Sequence, residues 1–143
     1  MVSGERTRNP VRMSMGVPNL YGEAGTSTTV LVVDDDLEFG KVAADLLADR
    51  GYQVVGRAAT ANEAVAMCDR LDPDAVLLDV RLPDANGVTL AKRLRAASNR
   101  PSILLTSSDR MAVGPAVVQL CGARGFVPKT ELVRTDLDAF LRR

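Results

Sequence analysis

The stretch TTVLVVDDDLEFG, from Thr28 to Gly40, joins a strand-like segment directly to a row of charges. Its apolar and β-branched residues at 29–33 have the composition of a strand that is buried on both faces. Three consecutive carboxylates follow: Asp34, Asp35 and Asp36. Two carboxylates ~4 Å apart repel each other by ~1 kcal/mol in water and ~4 kcal/mol near a protein surface. We therefore expect a helix N-terminus or a cation to offset this charge.

An apolar strand followed by an amphipathic helix recurs five times from residue 28 onward. Buried strands are predicted from the apolar runs at 29–34, 52–57, 75–79, 102–106 and 125–127. Apolar residues at helical spacing follow each strand; the fourth helix, within 109–121, is the weakest, and the fifth spans 132–141. This alternation predicts an α/β fold, a doubly wound (βα)5 parallel sheet with right-handed crossovers.

The composition suits a single soluble domain and excludes several classes of function. The 143 residues carry 18 basic and 18 acidic side chains, and a formal net charge of zero argues against a dedicated binder of nucleic acid or anionic membranes. No apolar run approaches the ~20 residues of a membrane span. Histidine is absent, so the usual imidazole base and the commonest metal ligand are missing.

A short N-terminal extension is expected before the folded part of the chain. Residues 1–27 contain Gly, Pro, Ser and Asn without periodicity, which is typical of a disordered segment, whereas 28–143 form the predicted domain.

Cys68 and Cys121 fall on apolar stripes of predicted helices and are interpreted as buried thiols of a cytoplasmic protein. No effector domain is expected, because the chain ends straight after the fifth helix.

Polar side chains collect at the predicted carboxyl ends of the strands, where open parallel sheets bind their ligands. The first strand ends in Asp34–Asp36, the third in Asp79 and the fourth in Thr106, and Lys129 follows the fifth. Simpler interpretations exist for each residue taken alone. Asp35 with Glu38 fits a capping box at the start of a helix, but capping would use only one of the three carboxylates.

Together these groups have the chemistry of a phosphoryl-transfer site. Asp34 and Asp35 supply the oxygen ligands that Mg²⁺ prefers, and the metal would remove their mutual repulsion. Asp79 would be the nucleophile, because a carboxylate can accept a phosphoryl group directly. Lys129 and the hydroxyl of Thr106 would hold oxygens of the transferring group.

Four segments resemble the motifs of the response-regulator receiver domain of two-component phosphorelay signalling. They read VLVVDDD, VLLDVRLPDANG, LLTSS and GARGFVPK, and they follow one another in the order and spacing of that family. The resemblance implies a flavodoxin-like three-layer sandwich with strand order 2-1-3-4-5. It also implies phosphorylation by a sensor histidine kinase or a phosphotransfer protein.

The resemblance gives a role to each matching residue near the acidic cluster. Asp79 matches the phosphoacceptor, and Asp34 and Asp35 match the acidic pair. The residues implied as ligands of Mg²⁺ or Mn²⁺ are Asp34, Asp35, Asp79 and, through its backbone carbonyl, Arg81. Lys129 matches the lysine of the motif.

The resemblance also implies a switch that is distinct from the acidic cluster. Thr106 matches the switch hydroxyl and Phe126 the switch aromatic. In the family, the acceptor phosphate draws the hydroxyl inward and the aromatic side chain follows.

The end of the last strand departs from the family pattern. The family usually has Lys-Pro there, whereas this chain has Pro128 followed by Lys129. Proline cannot donate to a sheet ladder, so Pro128 fits only an edge strand, which strand five is in this order.

The fourth helix also departs from the pattern, because Gly114 and Pro115 interrupt it. Pro115 suits the first position of a shortened helix. Residues 107–113 are therefore predicted to be irregular and mobile, with Met111 and Val113 exposed. We expect phosphorylation to order this segment.

The chain is thus predicted to be a stand-alone receiver that signals by phosphorylation-dependent contact with a protein partner. We expect no enzymatic turnover beyond self-phosphorylation and autodephosphorylation, and neither nucleic-acid binding nor membrane insertion. A homodimer through helix four, strand five and helix five is compatible with the pattern.

Two alternatives to this function remain open. A pseudo-receiver would bind its partner without phosphorylation, and a Mg²⁺-dependent phosphohydrolase of the haloacid-dehalogenase type would need a signature resembling DxDx[TV], in which Glu38 here replaces Thr or Val.

Overall fold

The computed structural model describes residues 27–97 and 99–142, which alternate between strands and helices from β1 to α5. The predicted N-terminal extension lies outside the described residues, apart from Ser27. The elements are β1 (Thr29–Val33), α1 (Leu37–Asp49), β2 (Gln53–Ala58), α2 (Ala61–Leu71), β3 (Ala75–Asp79), α3 (Gly87–Ala96), β4 (Ser102–Ser107), α4 (Pro115–Leu120), β5 (Gly125–Pro128), a 3₁₀ segment (Lys129–Arg134) and α5 (Asp138–Leu141).

The five strands form one parallel sheet in the order β2-β1-β3-β4-β5, so the predicted flavodoxin-like topology is confirmed. The register brings the ends of neighbouring strands to one level. Asp79 lies opposite Thr106, and Thr106 lies opposite Val127. Val33, the last residue of β1, lies opposite Leu78. Asp34 and Asp79, the next residues along each chain segment, therefore lie at the same level of the sheet.

Two apolar layers hold the helices to the two faces of the sheet. Along β1, Leu31 and Val33 pack in the layer that includes α2 and α3, whereas Val30 and Val32 pack in the layer that includes α1 and α5. All four side chains are almost fully buried. Burying a side chain of this size contributes about 1.5–3 kcal/mol, so the strand ends that carry the polar residues are rigidly supported.

The predicted single helix over 132–141 is wrong, because the chain forms the 3₁₀ segment and a separate four-residue α5 there. Side chains bind the backbone carbonyls around the break. The hydroxyl of Thr135 donates to the carbonyl of Glu131, and the guanidinium of Arg50 donates to the carbonyls of Val133 and Thr135. These bonds occupy carbonyls that a continuous helix would use for its own backbone hydrogen bonds.

The alternative interpretation of Asp35 and Glu38 as a capping box is not borne out. Asp36 is the N-cap of α1, and its Oδ1 accepts a hydrogen bond from the backbone N–H of Phe39 at 3.1 Å. Asp34 Oδ1 accepts from the N–H of Asp36 at 2.9 Å. Asp35 is therefore left exposed at the rim of the sheet, without a capping role.

The expectation that both cysteines are buried thiols is met in part. Cys121 is buried and Cys68 only half-buried, and both are free thiols. Within the described part of the chain, none of the helices has the length and apolar character needed to cross a membrane.

Candidate functional site

Three carboxylates meet where β1 and β3 end. Asp34 and Asp79 are each only 5% exposed, whereas Asp35 faces solvent. Each contributes one oxygen to a group in which these atoms all lie within 4.8 Å of one another. Negative charges so close together need a cation to make the arrangement stable.

Lys129 supplies a cation to this cluster from the end of β5. Its Nζ lies 2.8 Å from Oδ2 of Asp34 and 3.5 Å from Oδ2 of Asp79. The reversed Pro-Lys order does not remove the amine from the site. Pro128 closes the edge strand, and the chain turns at once into the 3₁₀ segment, which Lys129 opens.

Burial and charge change the acid–base properties of this group. Burial raises the pKa of Asp79 to about 6; the backbone N–H of Arg81 lowers it, the charge of Asp34 raises it and that of Lys129 lowers it. Burial lowers the pKa of Lys129, but its contacts with Asp34 and Asp79 outweigh this and place the pKa above its ordinary value. The ammonium is therefore charged at neutral pH.

The loop after Asp79 closes tightly against that residue. The N–H of Arg81 donates to Oδ1 of Asp79 at 3.2 Å, and the N–H of Gly87 donates to the carbonyl of Val80 at 2.6 Å. A Cβ on Gly87 would lie 2.3 Å from the carbonyl oxygen of Asp79, so only glycine allows this approach. The backbone of Arg81 is thereby fixed beside the carboxylate of Asp79.

Asp84, in the same loop, caps the preceding helix rather than the following one. Its carboxylate accepts hydrogen bonds from the N–H groups of Ala61 at 2.8 Å and Asn62 at 3.1 Å, at the start of α2. These bonds hold the pKa of Asp84 below its ordinary value. Sequence reasoning missed this role, because cap and helix are 23 residues apart and no local pattern marks the pairing.

The two residues predicted to form the switch, Thr106 and Phe126, lie beside the acidic cluster rather than in contact with it. Thr106 is 1% exposed, and its hydroxyl donates to the carbonyl of Val127 at 2.7 Å. Phe126 is half-buried and packs with the layer that includes Leu105 and Cys121. Sequence reasoning selected both positions but could not give the direction of the hydroxyl.

Ser107 was predicted to be irregular but is the buried last residue of β4, whereas 108–113 are irregular as expected. Residues 108–114 form the β4–α4 loop, and Pro115 occupies the first turn of α4 as expected. Met111 is 86% exposed, but Val113 is half-buried against the core, so the prediction that it is exposed is wrong. Two ion pairs join the loop to the segments that follow β3 and β5. Asp109 lies 3.2 Å from Arg81, and Arg110 lies 3.4 Å from Glu131.

An aromatic contact to Lys129 was also missed by sequence reasoning. The Nζ atom lies 4.3 Å from the centroid of the Phe39 ring, on the first turn of α1. In the sequence, Phe39 has only the signal of an apolar helix residue.

Buried aspartates and a lysine at the carboxyl ends of a 2-1-3-4-5 sheet define a receiver-type signalling domain, and comparison with known proteins agrees. The family model "Response regulator receiver domain" matches residues 30–140, so the chain belongs to this family of two-component signalling domains. The match favours a receiver over the phosphohydrolase alternative.

Individual relatives show the same likeness. The chain is 36% identical over 103 residues to a protein-glutamate methylesterase/protein-glutamine glutaminase of Nocardioides sp., covering 70% of this chain and 28% of the relative. It is 29% identical over 90 residues to the transcriptional regulatory protein PdtaR of Mycobacterium tuberculosis, covering 63% and 44%. The chain thus spans less than half the length of these curated relatives.

A solved structure agrees with the fold. A two-component response regulator of the LuxR family from Aurantimonas sp. superposes with a TM-score of 0.68 at 27% identity. The match covers 76% of this chain and 81% of that chain.

Proposed function

We propose that this receiver accepts a phosphoryl group on Asp79 from a sensor histidine kinase or a phosphotransfer protein, and that the modified form signals by contact with a protein partner. The observation that carries the proposal is the position of the Lys129 amine between the buried carboxylates of Asp34 and Asp79. An acceptor carboxylate with a fixed ammonium beside it is prepared to receive a phosphoryl group, which carries about two negative charges at neutral pH.

The donor set fits Mg²⁺ or Mn²⁺. The residues that would hold the ion are Asp34, Asp35, Asp79 and, through its backbone carbonyl, Arg81. Among the described residues, the three carboxylates have one ammonium in contact with them, so negative charge remains in excess. All the donors are oxygens, as these hard cations require. When bound, the ion supplies positive charge that screens the carboxylates from the incoming phosphate oxygens.

The side chains of this protein would carry out the transfer without a proton-accepting base. An ionised oxygen of Asp79 attacks phosphorus, and the bond from phosphorus to the donor's histidine nitrogen breaks as the new bond forms. Lys129 exchanges its contact with the carboxylates for a phosphoryl oxygen, which neutralises charge as it develops. To reach another phosphoryl oxygen, the hydroxyl of Thr106 has to leave the carbonyl of Val127.

The output surface proposed here is α4 with the loop that precedes it. None of the α4 side chains from Pro115 to Leu120 is buried, and Met111 and Leu120 are 86% and 79% exposed. The loop is tied to Arg81 through Asp109 and to Glu131, two residues after Lys129, through Arg110. Apolar side chains of this size favour a protein partner, either an unrelated chain or a second copy through α4, β5 and α5.

Labelling with a small phosphodonor tests the proposal. Incubation with acetyl phosphate and Mg²⁺ is expected to add the mass of one phosphoryl group, and chelation of the metal is expected to prevent it. Asp79→Asn should abolish the label. The control Asp36→Asn should keep it, since an amide oxygen can still cap α1. A label that maps to another residue, or that survives in Asp79→Asn, contradicts the proposal.

One observation favours the pseudo-receiver as a second candidate. The hydroxyl of Thr106 already has a partner in Val127, and two ion pairs hold the β4–α4 loop, so these groups have partners without a phosphate. A pseudo-receiver would bind its partner equally well as wild type and as Asp79→Asn, with or without phosphodonor. A receiver would bind more tightly only as the phosphorylated wild type.

A further inference from the structure

The ammonium of Lys129 has neighbours from three different elements. Asp34 follows β1, Asp79 ends β3, and Phe39 lies on the first turn of α1 with its ring centroid 4.3 Å from Nζ. The lysine side chain is only 12% exposed. The aromatic ring therefore stands where an exposed ammonium would have water.

This distance is that of a cation–π contact. The face of an aromatic ring carries partial negative charge and attracts an ammonium within ~6 Å of its centroid, most strongly where water is excluded. An aliphatic side chain at the same place would exclude water from the charge and offer nothing in return. The ring thus stabilises the charged amine on a side that the carboxylates do not cover.

The first turn of α1 is held in place, and the ring with it. The N–H of Phe39 donates to the capping carboxylate of Asp36. The guanidinium of Arg57, from β2, donates to the carbonyl of Leu37 at 2.7 Å. Phe39 itself packs against the core layer that includes Val32 and Leu47. The ring is thus a fixed surface, whereas the lysine has a flexible four-carbon stem.

We propose that Phe39 is a positioning residue for phosphoryl uptake: its ring holds the Lys129 ammonium over Asp79, so that the amine is in place when the phosphoryl group arrives. This inference rests on the proposed function. Phe39 touches neither the acceptor oxygen nor the incoming group, and it acts through the lysine. The ring also remains beside the amine when the amine exchanges a carboxylate for a phosphoryl oxygen.

Nuclear magnetic resonance tests the contact without any reaction. The chain has two other lysines, Lys41 and Lys92, both exposed, which serve as internal references. A ring face over the amine is expected to shift the ε-methylene protons of Lys129 upfield of theirs. The shift should persist in Phe39→Tyr and vanish in Phe39→Leu. A wild-type Lys129 signal that coincides with the references overturns the proposal.

Kinetics with acetyl phosphate and Mg²⁺ test the role. Phe39→Leu is expected to lower the limiting rate constant of phosphoryl uptake by roughly three- to ten-fold, with a smaller change in the half-saturating donor concentration. Phe39→Tyr should stay within about two-fold of wild type, because its ring keeps the charge distribution that attracts the amine.

Phe140→Leu is the matched control. Phe140 is the other phenylalanine that is half-buried against the same core layer, and it has no described contact with Lys129. Its variant should keep the wild-type rate. Equal rate losses in the two leucine variants would show a general packing effect and overturn the proposal.

The two proposals fail in different ways. If wild type takes up no phosphoryl group on Asp79, the proposed function fails, and the kinetic role of Phe39 fails with it. The upfield shift would still show whether the ring holds the amine. If wild type is labelled but Phe39→Leu reacts at the wild-type rate, only the role of Phe39 is overturned. Should Phe39→Leu not fold, Phe39→Tyr and the wild-type shift still decide the contact.

Discussion

The hydroxyl of Thr106 is bonded to the carbonyl of Val127, directly opposite on the neighbouring strand, over 2.7 Å. The pair is buried, so neither group has water as a substitute partner. Any movement of the hydroxyl toward Asp79 therefore leaves a carbonyl of β5 without its bond. A switch at this position has to replace a hydrogen bond rather than simply turn a free side chain.

Removing that hydroxyl should destabilise the unmodified protein. Thr106→Val keeps the shape but leaves the buried carbonyl of Val127 unpaired, and we expect the free energy of unfolding to fall by about 1–3 kcal/mol. Thr106→Ser keeps the donor and should lose less. Urea denaturation of the two variants measures the difference. A valine variant as stable as wild type would show that the bond contributes nothing.

The raised pKa of Asp79 predicts a pH dependence of stability in metal-free protein. The pKa rises from 3.8 in the unfolded chain to about 6, so the folded state holds a proton that the unfolded state has already released. The stability that this proton gives is complete below about pH 4 and is lost as the pH rises through 6. The total is at most about 3 kcal/mol at 1.36 kcal/mol per unit of pKa.

Asp79→Asn isolates this contribution from the other carboxylates. We expect the stability of the variant relative to wild type to increase between about pH 4 and 6 and then to level off. Chemical denaturation in the presence of a chelator measures both proteins. Parallel curves for wild type and variant would rule out the predicted titration of Asp79.

Neighbouring carboxylates at the start of α1 should respond in opposite ways to neutralisation. Asp35→Asn removes one of three mutually repelling charges, so the melting temperature of metal-free protein should rise by a few degrees while Mg²⁺ binding weakens. Asp36→Ala removes the N-cap and should cost about 1 kcal/mol. Thermal denaturation and titration calorimetry with Mg²⁺ measure these effects. A lower melting temperature for Asp35→Asn would contradict the repulsion argument.

The β4–α4 loop should open easily, because the ion pairs that hold it are weak. Its two ion pairs are largely exposed, and such pairs contribute about 0–1 kcal/mol each. Arg110→Ala is expected to increase hydrogen exchange over 108–114 several-fold without a marked change in melting temperature. Arg93→Ala, at an exposed arginine of α3, is the control. In wild type, phosphorylation should slow the same exchange, and equal exchange before and after phosphorylation would contradict a switch in this loop.

The fold could be predicted from the sequence wherever burial is continuous. The third strand was predicted to the residue, Ala75–Asp79, because five buried positions end at a charged one. The first strand is one residue shorter than predicted, since Asp34 already turns toward the cap of α1. The break near Thr135 could not be predicted, because Arg50, whose side chain binds the carbonyls at the break, is 85 residues away.

The candidate site, like the fold, could be predicted from the sequence only in part. Asp34, Asp79 and Lys129 could be placed together, since each comes at the carboxyl end of a predicted strand. The Phe39 ring contact and the ion pair of Arg81 with Asp109 could not, because they depend on how a helix and two loops approach across the sheet. Sequence spacing reveals which residues share an edge, and only packing reveals which side chains touch.

The cap that Asp84 gives to α2 bears on the order in which the chain folds. During synthesis, α2 leaves the ribosome before Asp84 does, and until then only Thr60, which accepts from the N–H of Glu63, serves its first turn. The N–H groups of Ala61 and Asn62 have to wait for β3 and its loop. Contacts between distant segments form late, because the intervening chain must first be brought together. The hydrogen bonding at the start of α2 is thus completed only in the folding step that also forms the loop after Asp79, so this end of the helix and the candidate site take shape together.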